Sequence, residues 1–332
     1  MGQPVSVYFS SAGRRVELMR CFRDAMRDIG GDIRIIAGDI APEFSAACAE
    51  ADVAVRTPHC SSPEFIDVVL ETCLRHDVKL VIPTIDPELI LYSRARSVFK
   101  HHGVTVAVSD PEVVKLAQDK LATALWLSNY GIRTPVTYDV ECLPDIAGSV
   151  AWPLLMKPKA GSASKGIYVA ENLADVRLEP GASDSYVAQA LLQGDEYTTN
   201  IFFDRDGVLR AAVPHIRYET RGGEVSKGET VRSEALLAVA VRLGEKLRGA
   251  RGPLCFQAIV DADGTASIFE INARFGGGYP LAQRAGAPFA RWLLLEATGG
   301  TPIYQHQWKA GLRMLRYDSA HFTETQAMDT DN

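Results

Sequence analysis

Asp263-Gly264 is the dipeptide that most restricts how this sequence can fold. It separates two runs of strand-forming residues, 254–260 and 267–272, and Asp-Gly in that setting is the strongest short-range signal for a β-hairpin. A two-residue turn pairs Ala262 with Thr265 and, counted back, sets Gln257 opposite Glu270. Alternation then places Ile268, Glu270 and Asn272 on one face and Phe269 and Ile271 on the other. Opposed side chains lie about 4.5–5.5 Å apart at Cβ, so Gln257, Glu270 and Asn272 converge. The apolar face reads as core. The polar face reads either as a sheet surface wetted by solvent or as a set of hard oxygen ligands. With one carboxylate and room for water and phosphate oxygens, such a set suits a magnesium–nucleotide pair better than an all-protein calcium cage.

Nearer the N-terminus, apolar strand runs at 5–9, 33–37, 53–55 and 80–82 alternate with helical patterns that reach Ile29 and extend from Pro63 to Arg75. This alternation specifies a doubly wound parallel sheet, whose ligands gather at the carboxyl ends of its strands: here residues 10–15, Asp39 and residues 84–88. The turn Ser10-Ser11-Ala12-Gly13 holds one glycine where a dinucleotide fingerprint needs three, so a nicotinamide site is not supported. Its polar residues cap the next helix or touch a small anion. Asp110-Pro111-Glu112 opens a helix that Gly131 closes, with Lys120 along it. Paired strands and loops follow, and a new strand begins at Tyr186. The expected divisions are 1–110, 111–185, 186–317 and a polar tail at 318–332.

At 332 residues the chain has room for two or three domains. A formal net charge of −6 argues against general nucleic-acid binding. No apolar stretch is long enough to span a membrane, and residues 1–9 lack a signal-peptide pattern. The six cysteines include no Cys-x-x-Cys pair, so neither a zinc site nor a disulfide framework is indicated. A reduced, cytoplasmic protein is expected.

Residues 152–158 form a strand that carries Lys157 near its end. Residues 159–166 then turn through Gly161, Ser162 and Gly166 into another strand. Glycine permits positive φ, so successive amides and serine hydroxyls can wrap a phosphate. A Walker motif is excluded, because Ile167-Tyr168 stands where Lys-Ser/Thr belongs and a strand follows. The loop reads as a phosphate flap or as a surface hairpin.

Taken in order, Lys120, Lys157, the glycine loop, Gln189, Glu196, Gln257, Glu270, Asn272 and Arg274 resemble the ATP-grasp superfamily, in particular carbamoyl-phosphate-synthase-like members with a preceding doubly wound domain. The resemblance covers essentially the whole folded chain. It implies an α/β fold in which the doubly wound domain precedes two α+β lobes enclosing ATP. Lys120 and Lys157 would meet the phosphates, and Gly161, Ser162 and Gly166 would close over them. Gln189 and the Leu191 backbone would hold the adenine edge, where the family usually has glutamate, and Glu196 would hold the ribose. Gln257, Glu270 and Asn272 would bind Mg2+, with Mn2+ as an alternative. Arg274, with Lys157, would neutralise the transferring phosphoryl group.

The implied activity is that of an ATP- and magnesium-dependent ligase. It would activate a small-molecule carboxylate as an acyl phosphate and join it to an amine, releasing ADP and phosphate. A small-molecule kinase of the same fold and a non-catalytic nucleotide-binding subunit are the alternatives. Neither nucleic acid nor membrane is expected as a partner, and a homodimer is compatible with this reading. Residues 214–230 form either an exposed hairpin or a wall in which His215, Arg217 or Lys227 meets the substrate carboxylate. At the edge of the first sheet, Arg14 either salt-bridges Glu17 or takes a carboxylate, and Asp86 or Glu88 takes an ammonium group.

Overall fold

The computed structural model describes residues 3–161, 166–177, 186–305 and 307–322. Its first unit is the expected parallel sheet. Strands β1 (Val5–Ser10), β2 (Ile33–Asp39), β3 (Val53–Arg56), β4 (Val78–Pro83) and β5 (Thr105–Val106) stand in the order β3-β2-β1-β4-β5. Helices α1 (Val16–Asp28), α2 (Ala46–Glu50), α3 (Phe65–Arg75) and α4 (Asp86–His101) connect them. Helix α1 buries Leu18, Met19, Phe22, Ala25 and Met26, the spacing of one helical face, and turns its charges outward. The order of connections reverses between β1 and β4, so the turns after Ser10 and Pro83 lie side by side. Thr84 Oγ1 donates to the Ser11 carbonyl at 2.7 Å and locks them together.

The expected single helix from 111 to 131 is two. Helix α5 (Pro111–Gln118) ends at Asp119, whose carboxylate accepts from Leu121 N and Ala122 N and so starts α6 (Lys120–Asn129). Lys120 is therefore a first-turn residue beside a break, and its backbone N–H reaches the Lys159 carbonyl at 3.1 Å.

A second sheet comprises β6 (Thr137–Asp139), β7 (Leu154–Pro158), β8 (Tyr168–Ala170) and β9 (Tyr186–Ala190) in the order β6-β9-β7-β8, with α7 (Leu143–Ile146) between β6 and β7. Strand β9 lies inside this sheet, hydrogen-bonded to β6 and β7. The change of sheet thus falls at residues 191–194, not at Ser185. Gly194 makes the crossing with φ +137°, and a Cβ there would lie 2.2 Å from the Val260 carbonyl oxygen. Gly194→Ala is expected to cost about 2 kcal/mol or more, read as a lowered midpoint of denaturant unfolding.

The third sheet is antiparallel. Its strands are β10 (Asp195–Phe203), β11 (Leu209–Arg221), β12 (Glu224–Thr230), β13 (Gly252–Val260), β14 (Ala266–Asn272) and β15 (Arg313–Leu315), in the order β14-β13-β10-β11-β12-β15. Helices α8 (Glu234–Lys246), α9 (Tyr279–Ala285) and α10 (Phe289–Ala297) pack with it. The hairpin forms, but its turn has three residues: Asp261 N donates to Thr265 O and Gly264 takes φ +77°. A bulge at Phe269 then skips one residue, so Ala258 pairs with Ile268 while Gln257 still pairs with Glu270. As a result Ile268 and Ile271 both enter the core and Phe269 does not. The expected placement of Ile268 beside Glu270 is corrected by this bulge.

The core ignores the expected division near residue 110. One cluster runs from Tyr8, Ile36 and Tyr92 to Phe203, Leu243 and Phe256, and a second from Phe9 and Phe22 to Phe275, Phe289 and Trp292. The first and third sheets are thus fused through apolar contacts on both faces. The small sheet keeps its own core around Leu154, Met156 and Ala188. Among the described residues, no helix is long and apolar enough to cross a membrane.

Candidate active site

A cavity of about 700 Å³ lies where the three sheets meet. Strand β7 carries Lys157 into it. The lysine is 3% exposed, donates to Gln189 Oε1 at 2.6 Å and lies 5.3 Å from the Phe269 ring centre. Burial lowers its pKa to about 8, against the pull of Glu270. Gln189 spends its other amide group on Thr137 Oγ1 at 2.8 Å. Its side chain orients the lysine, and residues 190–192 form the neighbouring rim. Lys120 reaches the same space and donates to the Gly161 carbonyl at 3.0 Å. Gly161 and Gly166 take positive φ, as a tight loop requires. Ser162 lies outside the described residues.

Opposite stands a chain of polar groups on the third sheet. Arg217, on β11, pairs with Glu196 of β10 and donates to the Gly223 carbonyl at 2.8 Å. With its amide oxygen turned to Arg217 Nη1 at 3.0 Å, Gln257 donates to Glu270 Oε2 at 2.9 Å. Burial pushes the Glu196 carboxyl up, against the effect of Arg217. Among the described residues Glu270 has no cation within ion-pair distance. Asn272 follows on the same wall, 8% exposed. Gln257, Glu270 and Asn272 are therefore brought together as the hairpin register requires. An unneutralised carboxylate and two amides facing a buried ammonium fit a magnesium–nucleotide pair, whose phosphates would meet Lys157 and whose metal would take the oxygens. No cluster of three histidine, cysteine, aspartate or glutamate side chains suited to a metal occurs among the described residues.

At the far end of the cavity, Arg274 meets Asp86 of α4, with Nε to Oδ1 at 3.0 Å and Nη2 to Oδ2 at 2.7 Å. Burial works against its charge, but Asp86 outweighs this and holds the guanidinium pKa above its ordinary value. Beside it Arg15 pairs with Glu224 at 2.7 Å, and Glu224 also meets Arg316 at 3.0 Å. Burial would raise the Glu224 carboxyl, yet the two arginines hold it below the usual range.

Several expected residues lie elsewhere. Glu88 is fully buried, accepting from Ser10, Ser11 and the amides of Thr84 and Ile85, and burial raises its pKa. It ties two turns together and cannot meet an ammonium substrate. His215 is fully buried behind the cavity wall, and burial lowers its pKa to about 3, so a neutral, enclosed ring stands where a substrate carboxylate was expected to be met. Lys227 pairs with Glu219 at the surface. Arg14 is exposed, and Glu17 pairs with Arg20 instead. Arg15, one residue on, is the arginine that enters the cavity. The sequence reading missed Arg15, Glu224, Arg316 and Phe269. It had no signal for the Glu224 pairings, which join residues 209 and 92 positions apart. The glycines after Arg274 do have a readable purpose: a Cβ on Gly277 would lie 2.7 Å from Glu224 Cδ, and one on Gly278 2.4 Å from His215 Nε2.

Comparison with known proteins places this geometry. Residues 7–107 match the family model described as PylC-like, N-terminal domain, and residues 117–278 match that of the ATP-grasp domain. A carbamoyl-phosphate synthase of Methanobrevibacter smithii is 24% identical over 144 residues, covering 42% of this chain and 39% of that protein. A D-alanine–D-alanine ligase of Stutzerimonas stutzeri is 26% identical over 192 residues, covering 51% of this chain and 60% of that protein. The chain thus spans less than two thirds of the length of these curated relatives. Among solved structures, the biotin carboxylase domain of Hydrogenobacter thermophilus 2-oxoglutarate carboxylase, determined with MgADP, ADP and bicarbonate, superposes with a TM-score of 0.69 at 17% identity. That match covers 90% of this chain and 70% of the other. This chain therefore joins a PylC-like N-terminal domain to an ATP-grasp domain.

Proposed function

We propose that the chain is an ATP- and magnesium-dependent ligase that activates a small-molecule carboxylate and joins it to an amine. One observation carries this reading: the buried Lys157, without a carboxylate at bonding distance among the described residues, faces Glu270, Gln257 and Asn272 across a cavity that continues past Arg274 to the edge of the first sheet. A nucleotide polyphosphate supplies the missing anion. Magnesium, when bound, would offset charge on the phosphate oxygens, with Glu270 and Asn272 as oxygen donors and Gln257 joining them once its amide oxygen turns from Arg217. Lys157 and Arg274 bracket the transferring group from opposite sides. A substrate carboxylate oxygen would attack the terminal phosphorus as ADP leaves. The amine would then attack the acyl carbon, expelling phosphate and losing a proton.

Incubation with ATP, magnesium and a pool of amino acids, followed by mass spectrometry, tests the reading. ADP, orthophosphate and a new amide are expected. AMP with pyrophosphate would refute it, and a stable phosphoester would identify a kinase.

The substrate end is assigned to Arg15 in place of Arg14. Arg15 is held by Glu224, which two arginines share, so this corner carries a net positive charge suited to a carboxylate. Arg15→Ala is expected to raise the Michaelis constant of the carboxylate substrate roughly tenfold with MgADP affinity unchanged, and Arg14→Ala to change neither. The reverse pattern would return the role to Arg14.

A further inference from the structure

We infer that Asp86 is a positioning residue for Arg274, so that the first domain builds part of the phosphoryl-transfer site. The inference rests on the proposed role of Arg274 and adds to it a residue 188 positions away in sequence. Asp86 is the first residue of α4, at the carboxyl edge of the parallel sheet, and Arg274 follows β14, an edge strand of the antiparallel one. Their contact is bidentate, with two parallel N–H···O bonds of 3.0 and 2.7 Å. This fork fixes the guanidinium plane as well as its position.

The remaining bonds of Arg274 narrow its function. Nη2 also donates to Asn272 Oδ1 at 3.4 Å, and Nη1 donates to the Phe275 carbonyl at 3.1 Å. These four bonds occupy four of the five N–H donors of an arginine. One Nη1 hydrogen remains for a ligand, and it is aimed by the other four. Asn272, a proposed metal ligand, belongs to the same set, so the Asp86 fork also steadies the guanidinium against the magnesium wall. Asp86 cannot simultaneously serve as a free anion for a substrate ammonium, because both of its oxygens accept from Arg274. An uncommitted arginine facing phosphate would sample several rotamers; this one is preorganised.

Binding of MgADP alone and of MgADP with aluminium fluoride, a mimic of the transferring phosphoryl group, tests this without knowledge of the substrate. Asp86→Ala and Asp86→Asn are expected to leave MgADP affinity within about twofold while weakening the aluminium fluoride complex about tenfold or more. Asp86→Glu is expected to recover part of the loss. Thermal unfolding of each variant reports folding, and Asp86→Asn, nearly isosteric, keeps the comparison open if the alanine variant does not fold. Equal loss of both complexes would make Asp86 a structural residue and overturn the inference. So would unchanged or tighter fluoride binding, the last meaning that Asp86 competes with the phosphoryl group. Failure of the unaltered protein to bind MgADP would overturn the nucleotide reading itself and the inference with it.

Discussion

Glu270→Ala is expected to lower ATP turnover at least the roughly hundredfold that follows loss of one positioned electrostatic element. Glu270 is the only charged member of the group with Gln257 and Asn272, and in the structure no cation within ion-pair distance offsets it among the described residues. Its removal acts twice. It takes away the charged oxygen proposed to hold the metal, and it strips the attraction that supports the charge of Lys157, leaving the lysine pKa lower still. Glu270→Gln keeps the volume and one oxygen, so a comparable loss there assigns the effect to charge. Steady-state turnover measured across a magnesium titration is the check. Activity near that of the parent in both variants would remove Glu270 from the site.

Lys157→Ala is expected to weaken MgADP binding by about 2–5 kcal/mol, roughly thirtyfold or more, because a desolvated ammonium would no longer meet the phosphates. The unaltered lysine also predicts a pH signature. In the free protein its pKa is about 8, against 10.5 for an ordinary lysine, because burial disfavours the charged form. Phosphate oxygens favour that form and raise the pKa in the complex. Between about pH 8 and the higher value, the complex therefore holds a proton that the free protein lacks. MgADP binding should take up a proton there and weaken as pH rises; below pH 8 this group contributes no uptake. The sign for folding is opposite: above pH 8 the folded chain holds fewer protons than the unfolded one, so this residue favours folding more as pH rises toward 10.5. Calorimetry of MgADP binding in buffers of different ionisation enthalpy reads the uptake directly. Lys157→Ala should abolish the pH-dependent part, and a parent protein without uptake at pH 8–9 would contradict the assignment.

Much of the architecture was legible because its signals are local. Alternating apolar runs defined the parallel sheet, and Asp263-Gly264 defined the hairpin. The pairing of Gln257 with Glu270 emerged correctly from a turn one residue too short, since the bulge at Phe269 offsets the difference. Nothing in the local sequence marks Phe269 as the extra residue, because a phenylalanine in a strand normally faces core. The break at Asp119 was missed for a related reason: Asp110, Pro111 and Gly131 are plausible ends of one helix, and only the cap on Leu121 and Ala122 splits it. The corner built from Asp86, Arg274, Arg15, Glu224 and Arg316 was not legible at all. Its members come from both ends of the chain, and charge alone does not say which of many arginines and acids will meet. Glu88 shows the converse difficulty, since a glutamate at an expected binding edge is equally suited to tying two turns together.

The bulge at Phe269 also has a meaning for how such a cavity can change. Ala258 with Ile268 and Gln257 with Glu270 flank the extra residue. Loss of the single codon for Phe269 would let those pairs close into an uninterrupted ladder, with Ile268 still inward and Glu270 still facing the cavity. Only the ring beneath Lys157 would vanish. A lineage could thus gain or discard an aromatic floor for its ligand in one genetic step, without moving an oxygen donor.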